Sequence, residues 1–120
     1  MNLMAKPGRL SSLALAASGV AIAASPQRVG EVLHIPASSA RGTAETRVGL
    51  GGTFAGLGLW ALVRGTSDAY TAVGMTWLGA AVVRVLALRV DEPETDWSYW
   101  AYLGGEVTLG LAGLAARSRS

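Results

Sequence analysis

Four apolar stretches recur along the chain and are separated by short polar segments. They cover residues 10–25, 46–63, 69–88 and 98–116. A membrane-spanning helix needs about 20 predominantly apolar residues, with roughly 17 to 25 as the usual range. The third and fourth stretches fit directly. The second has its uninterrupted apolar run over residues 48–63 and reaches the required length only because Thr46 and Arg47 are counted with it. The pattern therefore predicts an all-α fold, a bundle of four transmembrane helices forming a single domain over residues 1–120.

The first stretch leaves one alternative open, because it is the shortest and the least hydrophobic. Its basic start at Lys6 and Arg9, its run of about fifteen apolar residues and the small residues Ala21 and Ala23 are also typical of a cleavable signal peptide. Cleavage would leave three spans. We expect the first helix to be retained, which gives four.

The composition favours lipid as the medium around these helices. Hydrophobic residues make up 51% of the chain and charged residues 15%, whereas soluble domains carry about 25% charged residues. Sixteen glycines allow helix backbones to approach closely, the main packing device between helices in lipid. Abundant alanine, glycine and arginine beside a single lysine suggest a GC-rich bacterial genome, and hence a bacterial plasma (inner) membrane.

The charges between the stretches predict an orientation. Cytoplasmic segments of membrane proteins carry an excess of lysine and arginine. Both termini are therefore expected to be cytoplasmic, which places most basic residues inside: Lys6, Arg9, Arg64, Arg117 and Arg119. The loop after the third stretch is then outside, and it is acidic. Aromatic residues at the start of the last stretch fit membrane-interface anchors, among them Tyr99 and Tyr102.

Two charged residues, Arg84 and Glu106, interrupt otherwise apolar stretches. A charge at the membrane centre costs about 2.5 to 3.5 kcal/mol on insertion scales, so such residues normally face the bundle interior and find partners. Their depths, counted from the outer helix ends, differ by only a few ångströms at about 1.5 Å per residue. We predict an ion pair between them, with Glu45 and Arg47 completing an intramembrane polar network. The network either fixes helix register or forms a functional site.

Glycines at helical spacing predict packing faces. Below Glu45 lies a stripe of Gly49, Gly52 and Gly56, and on the face of Glu106 lie Gly110 and Gly113 together with Tyr99 and Tyr102. Small residues on such faces suit close helix contact.

Little in the chain indicates catalysis. It has no cysteine and one histidine, His34, so thiolate chemistry is excluded and a metal site has too few ligands. No arrangement of serine, histidine and acid is suggested by spacing, and no basic patch is interleaved with aromatics for nucleic acid. We expect no cofactor, no metal, no catalytic residue and no nucleic-acid partner, which makes an enzyme the less favoured interpretation.

The motifs together resemble a family, the small bacterial membrane proteins grouped as domain of unknown function 4345. The likeness covers an apolar first helix ending near Pro26, an acidic-x-arginine pair before a glycine-rich helix (Glu45, Thr46, Arg47), a late arginine in the third helix (Arg84) and a glutamate in the fourth (Glu106). The resemblance implies a four-helix membrane fold with intramembrane residues at these charged positions, and it implies no activity.

Three classes of function remain open. We favour a non-enzymatic protein that binds a lipid or isoprenoid-type ligand, or that serves as an accessory subunit of a larger membrane complex or a homo-oligomer. The alternative is a small transporter or channel that uses the glutamate–arginine network. A membrane-embedded enzyme acting on lipids is the third.

Overall fold

The computed structural model of the protein describes residues 5–33, 35 and 39–117. Across these residues the chain is all-helical. The elements are α1 (Ala5–Ala24), α2 (Pro26–Val32), α3 (Ala40–Thr46), a π-helical segment (Arg47–Gly52), α4 (Thr53–Arg64), α5 (Ser67–Val90) and α6 (Trp97–Arg117). His34 lies outside the described residues.

The four predicted stretches correspond to α1, to a continuous helix over residues 40–64, to α5 and to α6. The continuous helix comprises α3, the π-helical segment and α4, because the residues at both junctions keep right-handed helical dihedral angles. The polar segment between the first two stretches was assigned no helix, yet it contains α2 and α3. Pro26 starts α2, where its fixed φ suits the first helical position. The Ser39 side chain caps α3 by accepting a hydrogen bond from the Gly42 amide (3.0 Å).

The turn between α4 and α5 is tight because two residues end one helix and start the next. Gly65 adopts a left-handed conformation with φ 62°, which a residue with a Cβ rarely tolerates. Thr66 then caps α5, and its side-chain oxygen accepts a hydrogen bond from the Ala69 amide (3.2 Å). The chain therefore reverses direction within a few residues, and α4 and α5 become antiparallel neighbours.

The first helix, α1, lies at the centre of the bundle and packs against the π-helical segment, α4, α5 and α6. Leu15 is fully buried there. The Ser11 hydroxyl donates to the Leu109 carbonyl of α6 (2.7 Å), and the Ser11 carbonyl accepts from the Trp77 indole N–H of α5 (3.2 Å).

Small residues set the spacing between α1 and the helix 40–64. A Cβ placed on Gly58 would lie 2.4 Å from the Ala16 backbone nitrogen, and one on Gly51 would lie 2.8 Å from that of Ala23. Gly19 approaches the backbone of Ala55 in the same way. These contacts allow no side chain between the two backbones, so the interface depends on residues without a Cβ.

The pair α5 and α6 packs through a second glycine contact. A Cβ on Gly113 would lie 2.6 Å from the Gly74 Cα atom, and one on Gly110 would meet the Leu78 side chain at 2.5 Å. Gly110 and Gly113, both assigned to helix packing from the sequence, thus lie in the contact between α5 and α6.

The predicted packing stripe of Gly49, Gly52 and Gly56 is wrong. All three are exposed, and a Cβ on any of them would meet no atom within 4 Å in the described chain. The stripe was placed below Glu45, and Glu45 itself points outward. The helix 40–64 turns Gly51 and Gly58 toward α1 instead, where the two backbones are in contact.

Two described helices are long and apolar enough to cross a membrane, judged by length and composition. They are Lys6–Ala24, with a mean hydropathy of 1.2, and Ser67–Val90, with 1.6. The helix 40–64 and α6 are not among them, so the bundle of four membrane spans stays a prediction.

The glycine contact between α1 and α4 generates a test with a matched control. We expect Gly58→Ala to lower the free energy of unfolding by about 1 to 3 kcal/mol, the usual cost of overpacking, because the new methyl group meets backbone atoms. Gly56→Ala, one half-turn away and open on its outer side, should leave stability unchanged or raise it slightly, since alanine is the better helix former. Thermal unfolding of purified protein, followed by circular dichroism, compares the two. Equal melting temperatures would contradict the packing assignment.

Candidate functional site

An ion pair between Arg84 of α5 and Glu106 of α6 forms the centre of the site. The Arg84 Nε donates to Glu106 Oε1 at 2.6 Å, and Nη2 donates to Oε2 at 3.0 Å. The two side chains are 25% and 10% exposed, respectively. Such two-pronged geometry uses the planar fork of guanidinium and satisfies both carboxylate oxygens. Each charge is therefore compensated inside an otherwise apolar helix pair.

Two tyrosines of α6 hold the guanidinium from other sides. The Arg84 Cζ atom lies 5.1 Å from the centroid of the Tyr99 ring and 5.6 Å from that of Tyr102. A cation over an aromatic face contributes about 0.5 to 2 kcal/mol, more as water is removed. The Tyr99 hydroxyl also donates to the Arg84 carbonyl at 2.6 Å, and the Tyr102 hydroxyl donates to the Val32 carbonyl at 3.1 Å.

The position of these tyrosines at the start of α6 predicts membrane-interface anchors, and their contact with Arg84 is an addition from the structure. Their spacing held the signal, since Tyr99 and Tyr102 precede Glu106 by seven and four residues and so share its helix face. Any residue paired with Glu106 has to pass close to both rings. Aromatic residues at that spacing from a buried acid therefore indicate a place for its cationic partner.

The start of α6 fixes the orientation of Tyr99. Asp96 precedes the helix, and its Oδ1 accepts hydrogen bonds from the Ser98 amide (3.0 Å), the Ser98 hydroxyl (2.5 Å) and the Tyr99 amide (3.3 Å). An acidic side chain that accepts from the first free amides of a helix is a strong N-cap. Because this cap sets where α6 begins, it also sets which residues face α5.

Glu45 and Arg47 do not join the ion pair, so the predicted four-residue network is wrong at these two positions. Glu45 pairs instead with Arg41 one turn before it (2.8 Å), and both side chains are largely exposed. Arg47 is exposed and lines a different cavity. The reason is tertiary: the π-helical segment packs against α1 and α3 packs against α2, whereas the ion pair joins α5 and α6.

A cavity of about 470 Å³ opens beside the ion pair, between the end of α2 and the loop that joins α5 to α6. Its lining combines charged, aromatic and apolar groups: Leu33, Arg84, Pro93, Glu94, Thr95, Asp96, Ser98, Tyr99 and Tyr102. Among the described residues of this lining, the cation Arg84 is already neutralised by Glu106. The carboxylate of Glu94 therefore leaves this part of the lining without net positive charge.

Two smaller spaces flank the same helices. One of about 330 Å³ lies on another side of the ion pair and shares Arg84, Pro93 and Tyr99 with the larger cavity. The other, also about 330 Å³, is an open apolar groove on α5 and α6 lined by Leu78, Ala81, Val82, Val85, Leu86, Leu103 and Val107. The groove shares no lining residue with the larger cavity, but Val85 and Leu103 belong to the same turns of α5 and α6 as Arg84 and Tyr102.

Within the described ranges, no group of three or more histidine, cysteine, aspartate or glutamate side chains is arranged to hold a metal ion. The site consists of an ion pair, two aromatic rings and a cavity. Such an arrangement suits binding and orientation of a small molecule, because the charged atoms are already engaged with one another.

No family model, curated protein or solved structure matches the chain in comparisons with known proteins. The resemblance to the domain of unknown function 4345 family therefore stays a prediction, and the function is argued from the structure.

The buried pair predicts an asymmetry between two conservative variants. Glu106→Gln leaves the Arg84 cation without a counter-charge, and we expect the free energy of unfolding to fall by about 1 to 3 kcal/mol, less than for a fully buried pair because Arg84 is partly exposed. Glu45→Gln removes the same charge from an exposed pair and should leave stability unchanged within error. Unfolding of both variants in parallel gives the comparison, and equal losses would contradict the burial argument.

Proposed function

We propose that the chain is an integral membrane protein of four spans, with both termini cytoplasmic, that binds a lipid-like molecule at the Arg84 cavity. One observation carries the membrane assignment. The most apolar part of α5 is only 17% buried within the chain, and Val82, Val83 and Leu86 are more than half exposed. A core helix of a soluble protein would bury this surface. Hydrocarbon around the helix would remove the cost of exposing it.

The direction in which Arg84 points supports the same proposal. Its neighbours Val83 and Val85 are exposed, whereas Arg84 turns toward Glu106. In water an arginine would gain by facing solvent, and in lipid it gains by facing a partner inside the protein. Charge along the bundle fits the proposed orientation, since Lys6 and Arg64 lie at one end and the acidic loop 91–96 at the other.

The charge of the cavity favours a ligand with a neutral or cationic polar end. Arg84 is compensated by Glu106, while Glu94 adds negative charge to the wall. An anion would meet that carboxylate there and one cation that is already paired. A ligand hydroxyl or amine could form hydrogen bonds with the polar wall without that repulsion.

The apolar groove supplies room for a hydrocarbon tail. It runs along the same two helices, and its lining contains only apolar side chains. A molecule with a small polar end and a flexible tail, such as an isoprenoid alcohol or a neutral lipid, matches this combination of a polar cavity and an adjacent apolar surface. The proposed role is therefore the binding of such a molecule, alone or as a subunit of a membrane complex.

The membrane assignment is testable by labelling, because the chain contains no cysteine. We expect Glu94→Cys to react with a membrane-impermeant maleimide in intact spheroplasts, and Arg64→Cys to react only after permeabilisation. Both side chains are exposed in the structure, so the difference reports the membrane alone. Recovery of the protein in the soluble fraction, or equal labelling before and after permeabilisation, would contradict the proposal.

Ligand binding has its own test. Native mass spectrometry of protein extracted in its own lipids should show a retained small molecule on the wild type. Leu33→Trp fills the cavity wall without touching the ion pair and should abolish that adduct, because the indole occupies the ligand volume. Val63→Trp adds the same ring at an exposed position on α4 and should keep it. Loss of the adduct from both variants, or its absence from the wild type, would contradict a site at the cavity.

A further inference from the structure

A second polar cavity, of about 500 Å³, lies at the corner where α1 ends, α2 begins and the helix 40–64 passes. Its lining is dominated by polar and basic groups: Ala24, Ser25, Pro26, Gln27, Arg28, Thr43 and Arg47. Among the described residues, no acidic side chain belongs to this lining. The corner cavity is therefore opposite in charge to the Arg84 cavity.

The two arginines of the corner cavity come from separate elements, Arg28 from α2 and Arg47 from the π-helical segment. In the part of the chain that the structure describes, the ion pairs are Arg41 with Glu45 and Arg84 with Glu106, and neither involves the corner arginines. Two like charges that line one concave surface repel each other, and the repulsion grows as the distance between them falls. An anion between them would turn that repulsion into attraction from both sides.

The Thr43 hydroxyl adds a second, independent observation. Its oxygen is buried, and it has no hydrogen-bond partner among the described residues. A buried hydroxyl without a partner is costly and uncommon in folded proteins. Because Thr43 lies in the cavity wall, rotation of its side chain about χ1 would bring the hydroxyl to the cavity surface, where a ligand oxygen would accept the bond that the protein leaves unmade.

The π-helical turn positions these groups. Hydrogen bonds five residues apart insert one extra residue into the turn, and such insertions often occur at functional sites. Here the turn begins at Arg47, whose exposed side chain lines the cavity together with Arg28 of α2. The irregular turn thus carries the second arginine of the cavity.

We propose that the corner cavity binds a phosphate group. Phosphate offers several acceptor oxygens, and two guanidinium groups and a hydroxyl are the donors that such oxygens take. The group could belong to a lipid headgroup or to a free phosphate, and the chemistry of recognition is the same. The site stands on its own geometry and does not depend on the lipid proposed at the Arg84 cavity.

The test uses full-length protein in dodecyl maltoside, a detergent without phosphate. Two probes are titrated separately, inorganic phosphate and phosphatidylglycerol, and binding is measured by native mass spectrometry and by the shift in melting temperature. We expect saturable binding of at least one probe. Binding of phosphatidylglycerol alone assigns the site to a lipid headgroup, and binding of inorganic phosphate assigns it to the free anion. Binding of neither overturns the proposal.

Variants separate a built site from general charge attraction. The double variant Arg28→Gln with Arg47→Gln should weaken binding by on the order of tenfold or more, since each arginine supplies charge-assisted bonds. Arg64→Gln with Arg89→Gln removes the same charge at exposed positions outside the cavity and should leave affinity unchanged within about twofold. Equal losses from both double variants would overturn the proposal.

Thr43→Val provides a third variant of nearly the same shape without the hydroxyl. We expect it to weaken binding about fivefold, the usual effect of one lost hydrogen bond, while the ligand-free melting temperature stays equal or rises, because the unpartnered oxygen is gone. Binding as tight as in the wild type would show that the hydroxyl has no part in the site and would contradict its assignment as a donor.

Discussion

The pairing of Arg84 with Glu106 constrains much of the structure around it. Two charges on neighbouring apolar helices have to meet, and they meet only if the helices are close, antiparallel and rotated toward each other. Gly74 and Gly113 provide the closeness by letting the two backbones touch. The Asp96 cap sets the start of α6, and the tyrosine rings cover the guanidinium on further sides. The cavity beside the pair is the space left where α2 and the α5–α6 loop cover the outer end.

At the centre of the bundle, the helices pack through close backbone contacts rather than through large apolar side chains. The first helix is the least hydrophobic of the four stretches, yet it contacts all the long helices. Gly19, Gly51 and Gly58 bring its backbone against the helix 40–64, and Ser11 exchanges hydrogen bonds with α5 and α6. If the surroundings are hydrocarbon, as proposed, large apolar side chains gain little by turning inward, and small residues become the effective packing groups.

The two polar cavities differ in charge because Arg84 forms an ion pair, whereas Arg28 and Arg47 take part in neither ion pair of the described residues. Arg84 is neutralised by a carboxylate from the adjacent helix, so its cavity suits a neutral or cationic group. Arg28 and Arg47 line a cavity without an acidic residue, so that cavity suits an anion. Both lie at the end of the bundle that carries the acidic loop. Together they describe a surface able to hold a polar molecule and a phosphate group at separate positions.

The amino-acid sequence by itself determined what depends on local periodicity. Apolar stretches gave the long helices, and matched depth on neighbouring helices indicated Arg84 with Glu106 as partners, with Gly110 and Gly113 on the same face. Tertiary structure alone decided how the helix 40–64 is rotated about its axis. Its glycine-rich composition offers small residues on more than one face, so spacing could not show that Gly51 and Gly58, rather than Gly49, Gly52 and Gly56, pack inward. Tertiary packing also separates Glu45 and Arg47 from the buried pair, because the π-helical segment packs against α1 and α3 packs against α2, while Arg84 and Glu106 lie between α5 and α6.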